Sequence, residues 1–166
     1  MELNLLPVIN ADGKVVEIDE KLDFSDKHMQ GVIFLSPLHI RGTLANIGGT
    51  LELKADASCR VQYECDRCCE NYEDNLEFEI DEYLKKESPD NSEDTNPDIL
   101  YFTGFSADLD EIVLNNAFMN IPSKKLCRSD CRGLCPLCGK NLNLGDCGCD
   151  TRPTDPRFDV LDKFFG

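Results

Sequence analysis

The chain has 166 residues, a length typical of one domain, and 41% of them are hydrophobic, which is enough for a single packed core. Its net charge of −15 excludes a protein whose whole surface wraps nucleic acid, because phosphate binding needs an excess of Lys and Arg. We find no apolar run of about 18 residues that would span a membrane, and no signal peptide is evident at the N-terminus. We therefore expect a cytoplasmic protein, in which the ten cysteines bind metal more readily than they form disulfides.

The clearest pattern in the chain is an alternation of apolar and polar side chains. Between residues 50 and 65 the odd positions are apolar or small and the even positions are polar, which is typical of a strand with one buried face. Residues 38–45 and 76–81 alternate in the same way, and the glycines of segment 46–49 provide a turn. The pattern predicts an antiparallel β-meander of at least three strands.

The remaining segments predict a loop and two helices. Residues 87–98 contain no large apolar side chain. They predict a mobile loop, because they have no apolar surface whose burial would offset the entropy lost on ordering. Ile99–Phe102 predicts a short strand. Asp108 and Glu111 have the spacing of a capping box, and an apolar stripe that includes Leu109, Ile112, Val113 and Phe118 follows. A final helix is predicted after the capping residue Thr154 and a proline.

These elements predict an α+β fold in which an antiparallel β-meander, as a sheet or a partly closed barrel, packs with two to three helices. A C-terminal cysteine-rich zinc-binding loop region follows, and we expect a single domain over residues 1–166. The predicted sub-regions are the N-terminal strands and loop (1–30), the β-meander (31–86), the acidic mobile loop (87–98), a strand and helix (99–121), the cysteine-rich zinc region (122–153) and the C-terminal helix (154–166).

Six of the ten cysteines lie between positions 127 and 149. At their centre, the segment from Cys135 to Gly139 predicts a turn that points two thiolates at one spot and surrounds them with backbone amides. Zinc takes four tetrahedral ligands, and a Cys-x-Cys pair downstream supplies the other two. Residues 122–153 offer little apolar surface, so a metal would provide the order that a core cannot. We predict a closed structural zinc site at Cys135, Cys138, Cys147 and Cys149.

The ligand set has alternatives at this point. Cys127 or Cys131 is able to replace either member of the Cys-x-Cys pair, and the six thiolates could exchange between sets. Cys65 and Cys68 form a weaker pair, compatible with buried small residues, with a redox pair, or with half of a zinc site shared by the two Cys-x-x-Cys pairs. Reduced thiols in a loop and a disulfide scaffold are the alternatives for the C-terminal group.

The sequence lacks the motifs of common enzymes. Walker A, GxGxxG, GxSxG and HExxH are all missing, and an all-cysteine zinc site leaves no coordination position for water, so we predict that the protein is not an enzyme. Its charge is uneven: residues 73–111 hold 14 acidic and 2 basic side chains, whereas residues 122–166 hold 6 acidic and 8 basic ones. Four basic residues beside the cysteines are the candidate contact for RNA or another phosphate, or else balance the thiolate charge: Lys124, Lys125, Arg128 and Arg132.

Three motifs follow one another from about residue 60 to the end: Cys65-Asp66-Arg67-Cys68, the run from Cys131 to Asn143, and the run from Asp155 to Leu161. Together they resemble the motifs of a protein family that occurs in bacteria and chloroplasts and is named for the accumulation of large-subunit (23S) ribosomal RNA. The resemblance implies a role in ribosomal RNA processing, stability or large-subunit assembly, without a known catalytic activity.

The net charge adds an expectation about the partner. A chain at −15 repels RNA, so we expect its main contact to be a basic ribosomal protein or assembly factor that docks on residues 73–111. A direct RNA-binding zinc module is the second hypothesis, and thiol redox chemistry at Cys65 and Cys68 is the third.

Overall fold

The computed structural model describes residues 1–27, 31–87 and 96–150, which belong to two compact units. Unit 1 comprises Met1–Tyr63 and Glu73–Ser123, and unit 2 comprises Glu64–Tyr72 and Lys124–Gly166. The single domain expected from the sequence stays a prediction. Most of the predicted acidic loop and the whole predicted C-terminal helix lie outside the described residues.

The chain is rich in strands and has few helices. No helix among the described residues is long and apolar enough to cross a membrane. The helices are α1 (Leu6–Ile9) and α2 (Leu109–Asn120), and a 3-10 turn covers Leu142–Leu144. The strands are β1 (Glu2–Asn4), β2 (Val15–Leu22), β3 (Val32–Phe34), β4 (Leu38–Ile47), β5 (Thr50–Glu64), β6 (Asn71–Lys86), β7 (Ile99–Phe102) and β8 (Ser106–Asp108).

One six-stranded sheet dominates, with the strand order β2-β4-β5-β6-β7 and with β3 paired to β5. It curls into a half-barrel, while β1 and β8 form a separate antiparallel pair. Strands β4 and β5 are antiparallel neighbours and β6 lies next to β5, which confirms the predicted meander, and β2 adds a further antiparallel strand beside β4. Strand β7 departs from the antiparallel pattern, because it pairs with β6 in parallel.

Strand β5 carries the predicted alternation along its whole length. All the odd positions from Leu51 to Tyr63 are buried, and Cys65 directly after the strand is buried as well. The turn before β5 is formed by Gly48 and Gly49, whose φ angles of 61° and 86° match the tight hairpin that joins two right-twisted strands. One face of β5 therefore supplies the centre of the core of unit 1.

Helix α2 follows its predicted cap, with one correction. The Asp108 carboxylate accepts a hydrogen bond from the Asp110 backbone N–H at 3.0 Å, and the helix ends before Pro122. Its buried positions are Leu109, Ile112, Val113 and Ala117. Phe118, which the sequence placed in the apolar stripe, is 65% exposed, because each helical residue is rotated by about 100° from the one before it, which turns Phe118 away from the side of the helix that buries Val113 and Ala117.

The N-terminal segment contains a helix that the sequence did not predict. Helix α1 packs beside β4, where the side chain of Asn46 is buried. Its amide donates to the carbonyl oxygens of Val8 at 2.8 Å and Ile9 at 3.2 Å, and its oxygen accepts from the Gly49 N–H at 3.0 Å. Asn46 therefore fastens the end of α1 to the β4–β5 turn.

Candidate metal centres

The described part of unit 2 has little apolar material. It contains an isolated bridge between Leu134 and Asn141 and the 3-10 turn. Its buried cluster consists of three cysteines, against which partly buried side chains pack; these residues are Cys65, Cys68 and Cys131, with Tyr72, Leu126 and Cys127. A unit of this size whose interior is mostly thiol needs a further source of order, which small domains commonly obtain from a metal.

The first group of thiols, which we call cluster I, consists of Cys65, Cys68, Cys127 and Cys131. Its four Sγ atoms all lie within 4.8 Å of one another. The Cys65 and Cys131 sulfurs are 3.8 Å apart, and those of Cys68 and Cys127 are 3.6 Å apart. Three of the four side chains are buried and Cys127 is half-buried. Cluster I therefore joins two segments that are 59 to 66 residues apart in the chain.

The second group, cluster II, consists of Cys135, Cys138, Cys147 and Cys149, the set predicted as the zinc site. Its four Sγ atoms also lie within 4.8 Å of one another. Cys135 is buried, Cys138 is exposed and the other two are half-buried. Cluster II is thus a local and more exposed arrangement, and like cluster I it could hold a metal ion.

The two Cys-x-x-Cys turns have the same backbone hydrogen bonds, and we call them knuckles. In the first, the Cys69 N–H donates to the Cys65 carbonyl at 2.9 Å, and the Cys65 N–H donates to the Glu70 carbonyl at 3.0 Å. In the second, Gly139 and Lys140 make the corresponding bonds to Cys135, both at 2.9 Å. Residues 65–70 and 135–140 therefore form two copies of one turn, and each copy contributes two thiols to a different cluster.

Within each cluster, the surroundings of the cysteines give their thiols different pKa values. Burial raises the pKa of Cys65, but backbone N–H groups outweigh it and lower that pKa to about 6. The N–H groups of its own knuckle lower the pKa of Cys135 to about 6. Burial raises the pKa of Cys127 to about 12, and neighbouring thiols raise that of Cys149 to about 12. Each metal-free cluster thus combines one thiol that ionises readily with one that does not.

Contacts around cluster I hold its two segments together. The Arg67 guanidinium donates to the Cys131 carbonyl oxygen at 2.7 Å, and the Leu134 N–H donates to the Arg67 carbonyl at 3.0 Å. The Asn143 side-chain amide donates to the Cys131 sulfur at 3.3 Å and lowers the pKa of that thiol. Hydrogen bonds to a sulfur from beyond the ligand set are a common feature of metal–thiolate sites.

The site residues predicted from the sequence belong to cluster I, to cluster II or to the group of four basic residues. Cys127 and Cys131, named as alternates for the zinc site, lie with the weaker pair Cys65 and Cys68 in cluster I. Of the basic residues, Arg132 is paired with Asp146 at 2.5 Å, and Arg128 lies 3.6 Å from Asp130. Lys124 is exposed and Lys125 is half-buried, with its backbone N–H bonded to Asp66 at 2.6 Å. The structure thus gathers eight of the cysteines into two clusters, and it places Arg128 and Arg132 beside carboxylates.

Two cysteines lie outside both clusters, and the sequence analysis did not predict the positive φ of one of them. Cys59 is buried on β5 in unit 1, where burial raises its pKa to about 11. Cys69 is exposed and has a φ of 58°, the one positive φ of a non-glycine residue among the described residues. The signal was present in the sequence, since Cys69 follows its Cys-x-x-Cys as Gly139 follows the other.

Comparison with known proteins identifies the family. A family model described as "Large ribosomal RNA subunit accumulation protein YceD" matches residues 53–165. The chain belongs to this family. The matched range begins within β5 and includes all eight cysteines of clusters I and II. No curated protein and no solved structure matches the chain. Membership in the YceD family confirms the resemblance found in the sequence motifs and links the protein to the accumulation of large ribosomal subunit RNA.

Proposed function

We propose that this protein is a non-enzymatic factor that supports 23S ribosomal RNA accumulation, processing or large-subunit assembly by docking a basic ribosomal protein or assembly factor. The observation that carries the proposal is the family match over residues 53–165. A cytoplasmic location is in keeping with such a role. The proposal that no reaction is catalysed is supported by the composition of the clusters, since four thiolates around one ion leave no open position for water or substrate.

The docking surface that we propose is the solvent-facing side of β6. The apolar residues Leu76, Phe78 and Ile80 are buried, and the exposed acidic residues Glu77, Glu79 and Asp81 alternate with them. Glu73 and Asp74, near the start of the strand, are exposed as well. A row of carboxylates on a strand attracts Lys and Arg side chains and repels RNA phosphates. This charge pattern supports a basic protein as the main partner.

Zinc is the proposed metal of cluster II, as the sequence predicted for Cys135, Cys138, Cys147 and Cys149. All-sulfur coordination favours zinc over harder cations such as Mg²⁺ or Ca²⁺, and in a closed site the ion has a structural role. The four sulfurs lie within 4.8 Å of one another, which suits one ion. The knuckle amides offset the charge of the bound thiolates, as the lowered pKa of Cys135 indicates.

A matched pair of charge variants tests the docking surface. Glu77→Lys with Glu79→Lys reverses two exposed carboxylates on β6, and Glu17→Lys with Glu20→Lys makes the same change in net charge on β2. The tagged full chain and both variants are used to recover partners from a lysate, with and without nuclease. We expect the β6 variant to recover at least about tenfold less of the large-subunit proteins, while the β2 variant and nuclease-treated wild type keep them.

Two results would contradict this proposal. If nuclease removes every ribosomal protein from the wild-type sample, the interaction depends on RNA and the docking proposal fails. If both charge variants lose their partners equally, the effect reflects net charge and not the β6 surface. The level of 23S ribosomal RNA in cells that carry each variant provides the functional readout.

A direct RNA contact by unit 2 is the second candidate function, and the exposure of Lys124 favours it. Lys124 and Lys125 lie next to cluster I in sequence, whereas Arg128 and Arg132 are near carboxylates. If this candidate is correct, RNA affinity falls steeply with salt concentration and is lost in Lys124→Glu with Lys125→Glu. Weak binding that hardly changes with salt would exclude it. Redox chemistry at Cys65 and Cys68 is less favoured, because two further thiols converge on that pair.

A further inference from the structure

We infer that cluster I is a second metal site, distinct from cluster II, in which Cys65, Cys68, Cys127 and Cys131 bind one zinc ion. The chain would then hold two zinc ions, each in a closed four-thiolate site. The inference does not depend on the proposed role in ribosome assembly, because it rests on the arrangement of these side chains alone.

The spacing of the sulfurs in cluster I suits one tetrahedral ion. A zinc–sulfur distance of about 2.3 Å implies that neighbouring sulfurs are about 3.8 Å apart. The Cys65–Cys131 and Cys68–Cys127 pairs are separated by 3.8 Å and 3.6 Å. A disulfide would require about 2.05 Å, and an iron–sulfur cluster would place its own irons and sulfides between the thiols. The spacing therefore suits one four-coordinate ion, which we assign as zinc.

Each cluster is complete without the other. In cluster I, the two thiols of the first knuckle are joined by those of Cys127 and Cys131. In cluster II, the two thiols of the second knuckle are joined by those of the Cys-x-Cys pair. Four-coordinate zinc is saturated by four thiolates, so neither ion needs a ligand from the neighbouring cluster. This arrangement differs from a single site shared by the two knuckles, which the sequence left open.

The surroundings of cluster I favour a cation. Its thiols are largely buried and lie less than 4 Å apart in pairs, so four thiolates would repel one another strongly unless a positive charge lay between them. The donors around them are already arranged for anionic sulfur, with the Asn143 amide directed at Cys131. No carboxylate belongs to the cluster, which again favours zinc over a harder cation.

Metal content measured on the full chain tests the inference. The protein is purified without oxygen, loaded with Zn²⁺ and examined by native mass spectrometry with elemental analysis. We expect two zinc ions per chain for wild type. Cys65→Ser with Cys68→Ser should bind one ion and Cys138→Ser with Cys147→Ser should also bind one, while the control Cys69→Ser should keep both. One ion in wild type, none in the folded wild type, or two in the Cys65/Cys68 variant would overturn the inference.

A measurement on the unmodified chain covers the case in which a variant fails to fold. The wild-type protein is loaded with ¹¹³Cd²⁺, and ¹H–¹¹³Cd correlation spectra connect each metal to the β-protons of its ligands. We expect two cadmium resonances, one of which correlates with Cys65, Cys68, Cys127 and Cys131. A single resonance, or one whose ligands mix residues of clusters I and II, would overturn the inference, as would iron or a disulfide in the purified protein.

Discussion

At the scale of single residues, Cys69 stands where the second knuckle has Gly139. Both have a positive φ, 58° for Cys69 and 71° for Gly139, because both end the same hydrogen-bonded turn. A left-handed backbone costs a residue with a Cβ about 1–2 kcal/mol, and glycine avoids this cost. Cys69 is exposed and belongs to neither cluster, so its side chain contributes nothing to either site that would offset the strain.

Replacing this residue should therefore stabilise the protein. We expect Cys69→Gly to raise the free energy of unfolding by about 0.5–1 kcal/mol, the relief of strain minus the greater freedom of glycine in the unfolded chain. Urea unfolding of the metal-loaded protein measures the change. The converse substitution Gly139→Ala should lower the stability, and equal stability in all three proteins would refute the explanation.

Asn46 is the second residue whose role the sequence did not predict. The sequence indicated a turn at this position, but the polarity of the side chain gave no sign that it is buried under α1. Asn46→Leu should lower the free energy of unfolding by about 1–3 kcal/mol, because the Gly49 N–H and the α1 carbonyls lose their partner. Asn75→Leu, at an exposed position of β6, is the control; a similar loss there would contradict the prediction.

At the scale of elements, the sequence predicted those features that depend on residues close together in the chain. The period-2 alternation identified β5 and its buried face, and the cap at Asp108 identified the start of α2, since both depend on neighbours in sequence. The composition of cluster I could not be predicted in this way. Spacing shows that Cys65 and Cys68 form a pair, but only the path of the chain brings Cys127 and Cys131 to them.

The pairing of β4 with β5 allows a prediction at the same scale. A Cβ added to Gly42 would lie 2.1 Å from the Lys54 carbonyl oxygen and 2.4 Å from the Ala55 Cα. Both are backbone atoms, so the strands must separate to admit it. We expect Gly42→Ala to lower the free energy of unfolding by about 1–3 kcal/mol or more. The neighbouring substitution Thr43→Ala should cost clearly less, and equal effects in urea unfolding would contradict this account.

At the scale of the whole molecule, the two units depend on different forces. Unit 1 has an extensive apolar core, whereas the interior of unit 2 is mostly cysteine. With a strong chelator we expect fast hydrogen exchange in residues 64–72 and 124–150, while amides of β4 and β5 stay protected. Added Zn²⁺ should restore the protection. Equal loss of protection in both units would show that metal does not order unit 2 alone.

Metal binding should also release protons from the molecule as a whole. At pH 7 the raised pKa values of Cys127 and Cys149, both about 12, keep these thiols protonated in the metal-free protein. Coordination requires thiolates, so each ion should displace about one proton or more, and binding should weaken as pH falls. Titration with Zn²⁺ in weak buffer with a pH indicator measures the release. If no protons are released at pH 7, Cys127 and Cys149 are not protonated thiols that become metal ligands.

The distance along the chain between the ligands of cluster I has a consequence for synthesis on the ribosome. The ligands of cluster II all come from one short segment, Cys135 to Cys149, whereas Cys65 must wait until Cys131 has been translated, 66 residues later. Closing the longer loop costs roughly 1 kcal/mol more in chain entropy. The first knuckle therefore spends part of translation as an unpaired dithiol, which makes the order of metal loading a matter of timing as well as affinity.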